Sequence, residues 1–176
     1  IFSKVELTER QRFQKVRPEI TVYPVLTEEW WQRVSDEWKD VFRKVARFKD
    51  EPNLLEINRL YDMDRLICTG NGINEYSLTN LEPLADLKNL KVLYISNSNV
   101  TSLEPISMLT NLRVLYCSGT KITDIEPLSG LTQLEDVDIS ACAVKDISPL
   151  AKLANLRRIT FYETKVDSLS ALASLK

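Results

Sequence analysis

The chain has 176 residues, 44% of them hydrophobic and 27% charged, the composition of a globular domain with a sizeable apolar core. A formal net charge of −2 gives no concentrated basic surface for nucleic acid, and no apolar run approaches the ~20 residues of a membrane span. Histidine is absent, which removes the commonest general base and a leading zinc ligand.

Residues 1–26 read as an N-terminal arm. Thr8-Glu9-Arg10-Gln11 has the form of a capping box, opening a short helix through Phe13 and Val16 that ends before Pro18. Ile20–Val25 reads as extended, with Pro24 favouring an edge or an arm.

From Thr27 the period becomes helical. Trp30, Trp31, Val34, Trp38, Val41, Phe42, Val45 and Phe48 fall at i, i+3, i+4, i+7 spacing, with charged residues between them. This is one amphipathic helix, or two joined near Ser35, which would cap the second. The stripe is either a docking face for another protein or a lid over the first unit of a repeat array. The lid is the reading taken, over residues 27–52.

Asp50-Glu51-Pro52-Asn53 is a turn, and repeats are assigned to 53–176. Leu78, Val100, Ile122, Val144 and Val166 share one column of a 22-residue period. Leu81, Leu103, Ile125, Ile147 and Leu169 share the next, and Leu84, Ile106, Leu128, Leu150 and Leu172 a third. Leu87, Leu109, Leu131, Leu153 and Leu175 form a fourth, and Leu90, Leu112, Leu134 and Leu156 a fifth. Leu93, Leu115, Val137, Ile159 and then Ile95, Cys117, Ile139, Phe161 complete the frame. An irregular first unit carries Ile57, Leu60, Met63, Leu66, Cys68 and Ile73, with a five-residue insertion around 74–78 that is a terminal irregularity or a binding loop.

Within each unit a short parallel strand is expected, near 65–69, 92–96, 114–118, 136–140 and 158–162. Pro83, Pro105, Pro127 and Pro149 sit where the first turn of a helix tolerates a missing N–H, and a 22-residue unit has room only for a 3₁₀ turn there. Ala171 breaks this Pro column. Asn71, Ser98, Thr120, Cys142 and Thr164 share a position where a side chain bonds the buried turn. Cys68, Cys117 and Cys142 all occupy structural columns. The lack of a disulfide pair points to a reducing compartment and makes the cytoplasm the expected location, although a chain opening at Ile1 says little about a leader.

The frame, clearest in Ile122-Thr-Asp-Ile125-Glu-Pro-Leu128 and Val144-Lys-Asp-Ile147-Ser-Pro-Leu150, resembles the short leucine-rich repeats of the bacterial internalin-like class. Leu26-Thr-Glu-Glu-Trp-Trp followed by Asp36-Glu-Trp-Lys also resembles the helical lead-in of some bacterial leucine-rich proteins. The fold class is therefore an α/β solenoid. It is a right-handed leucine-rich repeat with parallel strands on the concave face, 3₁₀ turns on the convex face and an N-terminal α-helical cap. The resemblance implies a protein-interaction module that acts through the concave face. Internalins are secreted and surface-attached, so an adhesion-type binder is an alternative.

Strand alternation places Val92, Val114, Asp136 and Arg158 in one outward column, Tyr94, Tyr116, Asp138 and Thr160 in the next, and Ser96, Ser118, Ser140 and Tyr162 in a third. Val92, Tyr94, Val114 and Tyr116 form an aromatic patch beside an acidic strip of Asp136 and Asp138, bounded by Arg158. With Tyr162 these are the candidate partner-binding residues, and the partner expected is a protein or peptide. No catalytic, cofactor or metal residues are assigned. A paired-carboxylate site at Asp136 and Asp138 lacks a third ligand, and no histidine activates the cysteines. The alternative to a binding module is an assembly segment that makes end-to-end contact through the open edge of the last strand.

Overall fold

In a computed structural model, residues 16–17, 26–68 and 78–174 are described. The expected helix over 8–16 and the extended stretch over 20–25 lie essentially outside them, as do Asn71, Ile73, most of the insertion, and Leu175.

The tryptophan-rich stretch is two helices, α1 (Glu28–Arg33) and α2 (Asp36–Ala46). Thr27 Oγ1 accepts from the Trp30 N–H at 3.1 Å, and Ser35 Oγ accepts from the Trp38 N–H at 3.4 Å. Each hydroxyl thus satisfies an orphan donor and starts a helix. The break at Ser35 lets the apolar stripe fold on itself. Phe42 lies against all three tryptophans, with ring centroids 5.3–6.4 Å apart, and Trp31 meets Phe48 edge-on.

Residues Leu54–Tyr61 form a third helix, α3, with a full capping box between Asn53 and Glu56. Ile57 and Leu60 occupy repeat columns as expected, but the segment carrying them is α-helical where later units have 3₁₀ turns. Buried Asn58 ties this helix back to the chain ahead of α1. Its Oδ1 accepts from the Leu26 N–H at 2.9 Å, and its Nδ2 donates to the Leu26 carbonyl at 2.8 Å.

Five strands follow, each of three residues: β1 (Arg65–Ile67), β2 (Val92–Tyr94), β3 (Val114–Tyr116), β4 (Asp136–Asp138) and β5 (Arg158–Thr160). They pair in parallel and in sequence order. Arg65 pairs with Val92, 27 residues on, whereas Val92 pairs with Val114 and Val114 with Asp136, each 22 residues on. The five-residue insertion is thereby absorbed between β1 and β2 without disturbing the register. The central residues Leu66, Leu93, Leu115 and Val137 are fully buried, and their neighbours in β2–β4 are half-buried on the outer side.

The 3₁₀ turns recur at Glu82–Asp86, Glu104–Ile106, Glu126–Leu128, Ser148–Lys152 and Ser170–Ser174. The fifth forms without proline, because a second device starts all of them. Asn80, Ser102, Asp124, Asp146 and Ser168 each accept, through a side-chain oxygen, the N–H two residues on. A further column holds coil to coil: Asn89, Asn111 and Asn155 donate from Nδ2 to carbonyls of the preceding coil at 2.8–2.9 Å. One contiguous core runs from Leu26 through Leu156, and Trp38 Nε1 joins cap to coil by donating to the Asn80 carbonyl at 2.9 Å.

The polar column bonds the turn as expected at Thr120, Cys142 and Thr164, but Ser98 Oγ is buried with no hydrogen-bond partner among the described residues. Thr120 Oγ1 donates to the Cys117 carbonyl at 2.8 Å and Thr164 Oγ1 to that of Phe161 at 2.7 Å. Cys142 Sγ contacts the same Cys117 carbonyl at 3.2 Å. Hydrogen bonding with Cys142 and burial push the Cys117 thiol well above its ordinary value, and burial pushes Cys68 up to about 12.

Just past β2, β3, β4 and β5 the backbone turns left-handed, at Asn97, Gly119, Ala141 and Glu163, with φ between 54° and 67°. Gly119 has a second reason to lack a side chain, since a Cβ there would lie 2.5 Å from Asn97 Oδ1. Ala141 has no such excuse, and a left-handed L-residue costs roughly 1–2 kcal/mol, against about 0.5–1 kcal/mol for the extra backbone freedom of Gly. Ala141→Gly should therefore stabilise the chain by about 0.5–1 kcal/mol, and Gly119→Ala should destabilise it by about 1–2 kcal/mol or more. Urea unfolding midpoints check both, and equal losses from the two changes would contradict this account.

Candidate functional site

The outward side chains of β2 and β3 come into register because Val92 pairs with Val114 and Tyr94 with Tyr116. The two tyrosine rings stack at 4.4 Å between centroids and 13° between planes. Such a stack follows from identical Val-Leu-Tyr strands laid in parallel, with side chains of one column a strand spacing apart. All four residues remain half-buried, so the patch combines fixed geometry with accessible apolar surface.

β4 changes the chemistry. Asp136 lies beside Val114, and Tyr116 reaches diagonally across to it, its hydroxyl donating to Asp136 Oδ2 at 2.8 Å. Arg158, the register partner of Asp136 on β5, approaches the same oxygen at 3.2 Å. Only 17% of the Asp136 side chain is exposed, and its Oδ1 is buried with no hydrogen-bond partner among the described residues. Asp138 folds over its own strand end, with Oδ1 accepting from the Ser140 N–H at 2.9 Å. The expected acidic strip is thus split. Asp136 is committed to Tyr116 and Arg158, while Asp138 is the carboxylate beside the tyrosine pair that carries no ion pair among the described residues.

The third column divides too. Ser118 Oγ donates to Ser96 Oγ at 3.0 Å on the outer side, but Ser140 is fully buried, contrary to its expected outward placement. Tyr162 stands apart from the patch at 64% exposure, beyond the end of β5. Sequence reasoning brought Val92, Tyr94, Val114 and Tyr116 together correctly. It did not foresee the Tyr116–Asp136–Arg158 chain, whose signal was the i, i+20 offset of a tyrosine reaching diagonally past its register neighbour.

Among the described residues no group of three or more Cys, Asp or Glu is placed to hold a metal. Two crevices, of about 280 and 240 Å³, are lined by residues of α1, the first two 3₁₀ turns and the segments just before those turns, and include none from the strands. No described helix is long and apolar enough to cross a membrane.

Residues 110–152 match the family model of leucine-rich repeats, in two copies. The fold is that of an internalin-like leucine-rich repeat protein. Among solved structures, an internalin from Listeria monocytogenes superposes with a TM-score of 0.69 at 22% identity, covering 88% of this chain and 51% of its own. Internalin C2 of the same strain superposes with a TM-score of 0.53 at 24% identity, covering 80% of this chain and 79% of its own. The chain therefore spans about half the length of the first of these. No curated protein matches its sequence.

The hydrogen bond to Asp136 is the main cause raising the Tyr116 phenol above its ordinary value, with burial adding to it. Because the folded value is raised, the contribution of this bond to stability is complete below the unfolded value of 10.0 and is lost as pH rises through the folded one. In an ultraviolet pH titration, one of the six tyrosines should ionise later than an unperturbed phenol. Asp136→Ala should bring that tyrosine down towards the ordinary phenol value, and an unchanged titration would refute the bond.

Proposed function

We propose that this chain is a non-enzymatic binding module that holds a protein or peptide partner on the strand face, at Val92, Tyr94, Val114, Tyr116 and Asp138. Arg158 and Asp136 act there as a frame that fixes Tyr116. The observation that carries the reading is the stacked Tyr94–Tyr116 pair flanked by two half-buried valines. Tyrosine supplies large contact area with few rotatable bonds, and here stacking and a hydrogen bond have already restricted those bonds before any partner arrives. Solenoids use such extended surfaces for binding, and the fold shared with the internalins supports the same reading.

A competing site for a macromolecule would be the outer 3₁₀ turns, where Met108 is 66% exposed. A lone exposed methionine is ordinary surface, whereas the strand patch is contiguous.

The test is affinity capture with wild type and a Tyr94→Ala/Tyr116→Ala/Asp138→Ala variant of unchanged circular dichroism. A hot-spot pair should weaken the captured partner by at least about thirtyfold, the equivalent of roughly 2 kcal/mol. Equal capture by both proteins would remove the strand face from consideration.

A further inference from the structure

The outward column that carries the two tyrosines continues past them. Tyr94 pairs with Tyr116, Tyr116 with Asp138 and Asp138 with Thr160, so these four side chains stand one strand spacing apart in succession. Two aromatic layers are thus followed by a short carboxylate and then by a hydroxyl. Tyr94 covers one face of the Tyr116 ring, and no ring or cation lies over the other face among the described residues. The Tyr116 hydroxyl is tied to Asp136, which keeps the ring from swinging across to cover Asp138. Asp138 is half-buried, and its Oδ1 accepts from the Ser140 N–H. Its Oδ2 has no hydrogen-bond or ion-pair partner among the described residues.

We propose that this open layer receives an arginine side chain of the partner, with its guanidinium stacked on the second face of Tyr116 and bonded to Asp138. The inference rests on the strand-face reading above and names the chemistry that face selects. The face of a phenol ring carries negative potential and attracts a cation, and the neighbouring carboxylate adds a charge of the same sign. Arg158 lies 3.2 Å from Asp136, so those two charges offset each other and Asp138 is left uncompensated. Arg113 is engaged in the same way with Glu135. A lysine matches the charge of this slot but not its shape. A guanidinium is planar like the two rings beside it, so it continues the stack while turning N–H donors towards a carboxylate. An anionic group would be repelled by both the ring face and Asp138, and an apolar group would cover Asp138 without pairing it.

Selection of short random peptides from a display library on the wild-type chain tests this. Peptides bound to the strand face should be enriched in arginine. Replacing that arginine by glutamine should weaken binding about tenfold, through one exposed cation–π contact and one half-exposed ion pair. The same replacement should cost only about threefold on Asp138→Asn, where the ring contact alone is left. Asparagine keeps the oxygen that accepts from Ser140, and circular dichroism checks that this variant folds. Equal binding of lysine-substituted peptides, or an arginine effect undiminished in Asp138→Asn, would overturn the proposal. Peptides that depend on Tyr94 and Tyr116 yet show no arginine preference would overturn the guanidinium layer and leave the strand-face reading standing. A library that yields no peptide sensitive to Tyr94→Ala/Tyr116→Ala removes both.

Discussion

No coil of this chain can bury its own apolar columns. A three-residue strand and a single 3₁₀ turn enclose too little volume, so each coil is stable only against its neighbours. Stacking at a 22-residue register is the constraint from which the rest follows. It buries Leu93, Leu115 and Val137 in one line, aligns the asparagines that donate back to the preceding coil, and brings Tyr94 over Tyr116. The helical lead-in answers the same need at the first coil, where Trp38 packs with Phe42 and donates to the Asn80 carbonyl.

The same stacking explains why this surface suits recognition. A side chain on the strand face is placed by a parallel ladder bonded on both sides, not by a loop. Tyr116 is held by its neighbour's ring on one side and by the Asp136 carboxylate on the other, and Asp136 is held in turn by Arg158. A partner meeting this patch finds the rings already ordered, which lowers the conformational entropy lost on binding.

Much of the fold was legible because repetition multiplies a weak local signal. One leucine at a given spacing says little, but five in a column define a coil. The five-residue insertion was equally readable, from a broken period, whereas the capping residue Ser35 left one helix or two open and the structure has two. What escaped lacks a repeated chemical marker. The left-handed column reads Asn97, Gly119, Ala141, Glu163, and only the first two residues favour that conformation. The α-helix at Leu54–Tyr61 shares its apolar spacing with a repeat, so periodicity alone could not separate them. At the site, the aromatic pair was visible as a column. The commitment of Asp136 was not, because it arises from a tyrosine leaning out of its own register, and neither was the burial of Ser140, which breaks the outward alternation of its column.

The central claim, that the pre-ordered tyrosine face is where a partner sits, is tested most directly by mapping backbone amide shifts on titrating the captured partner into the labelled chain. The account predicts that the largest changes fall on Val92–Tyr94, Val114–Tyr116 and Asp138, while Leu55 of α3 and Met108 of the outer turns stay still. Changes confined to the helical lead-in or the outer turns, with the strand residues unmoved, would contradict it.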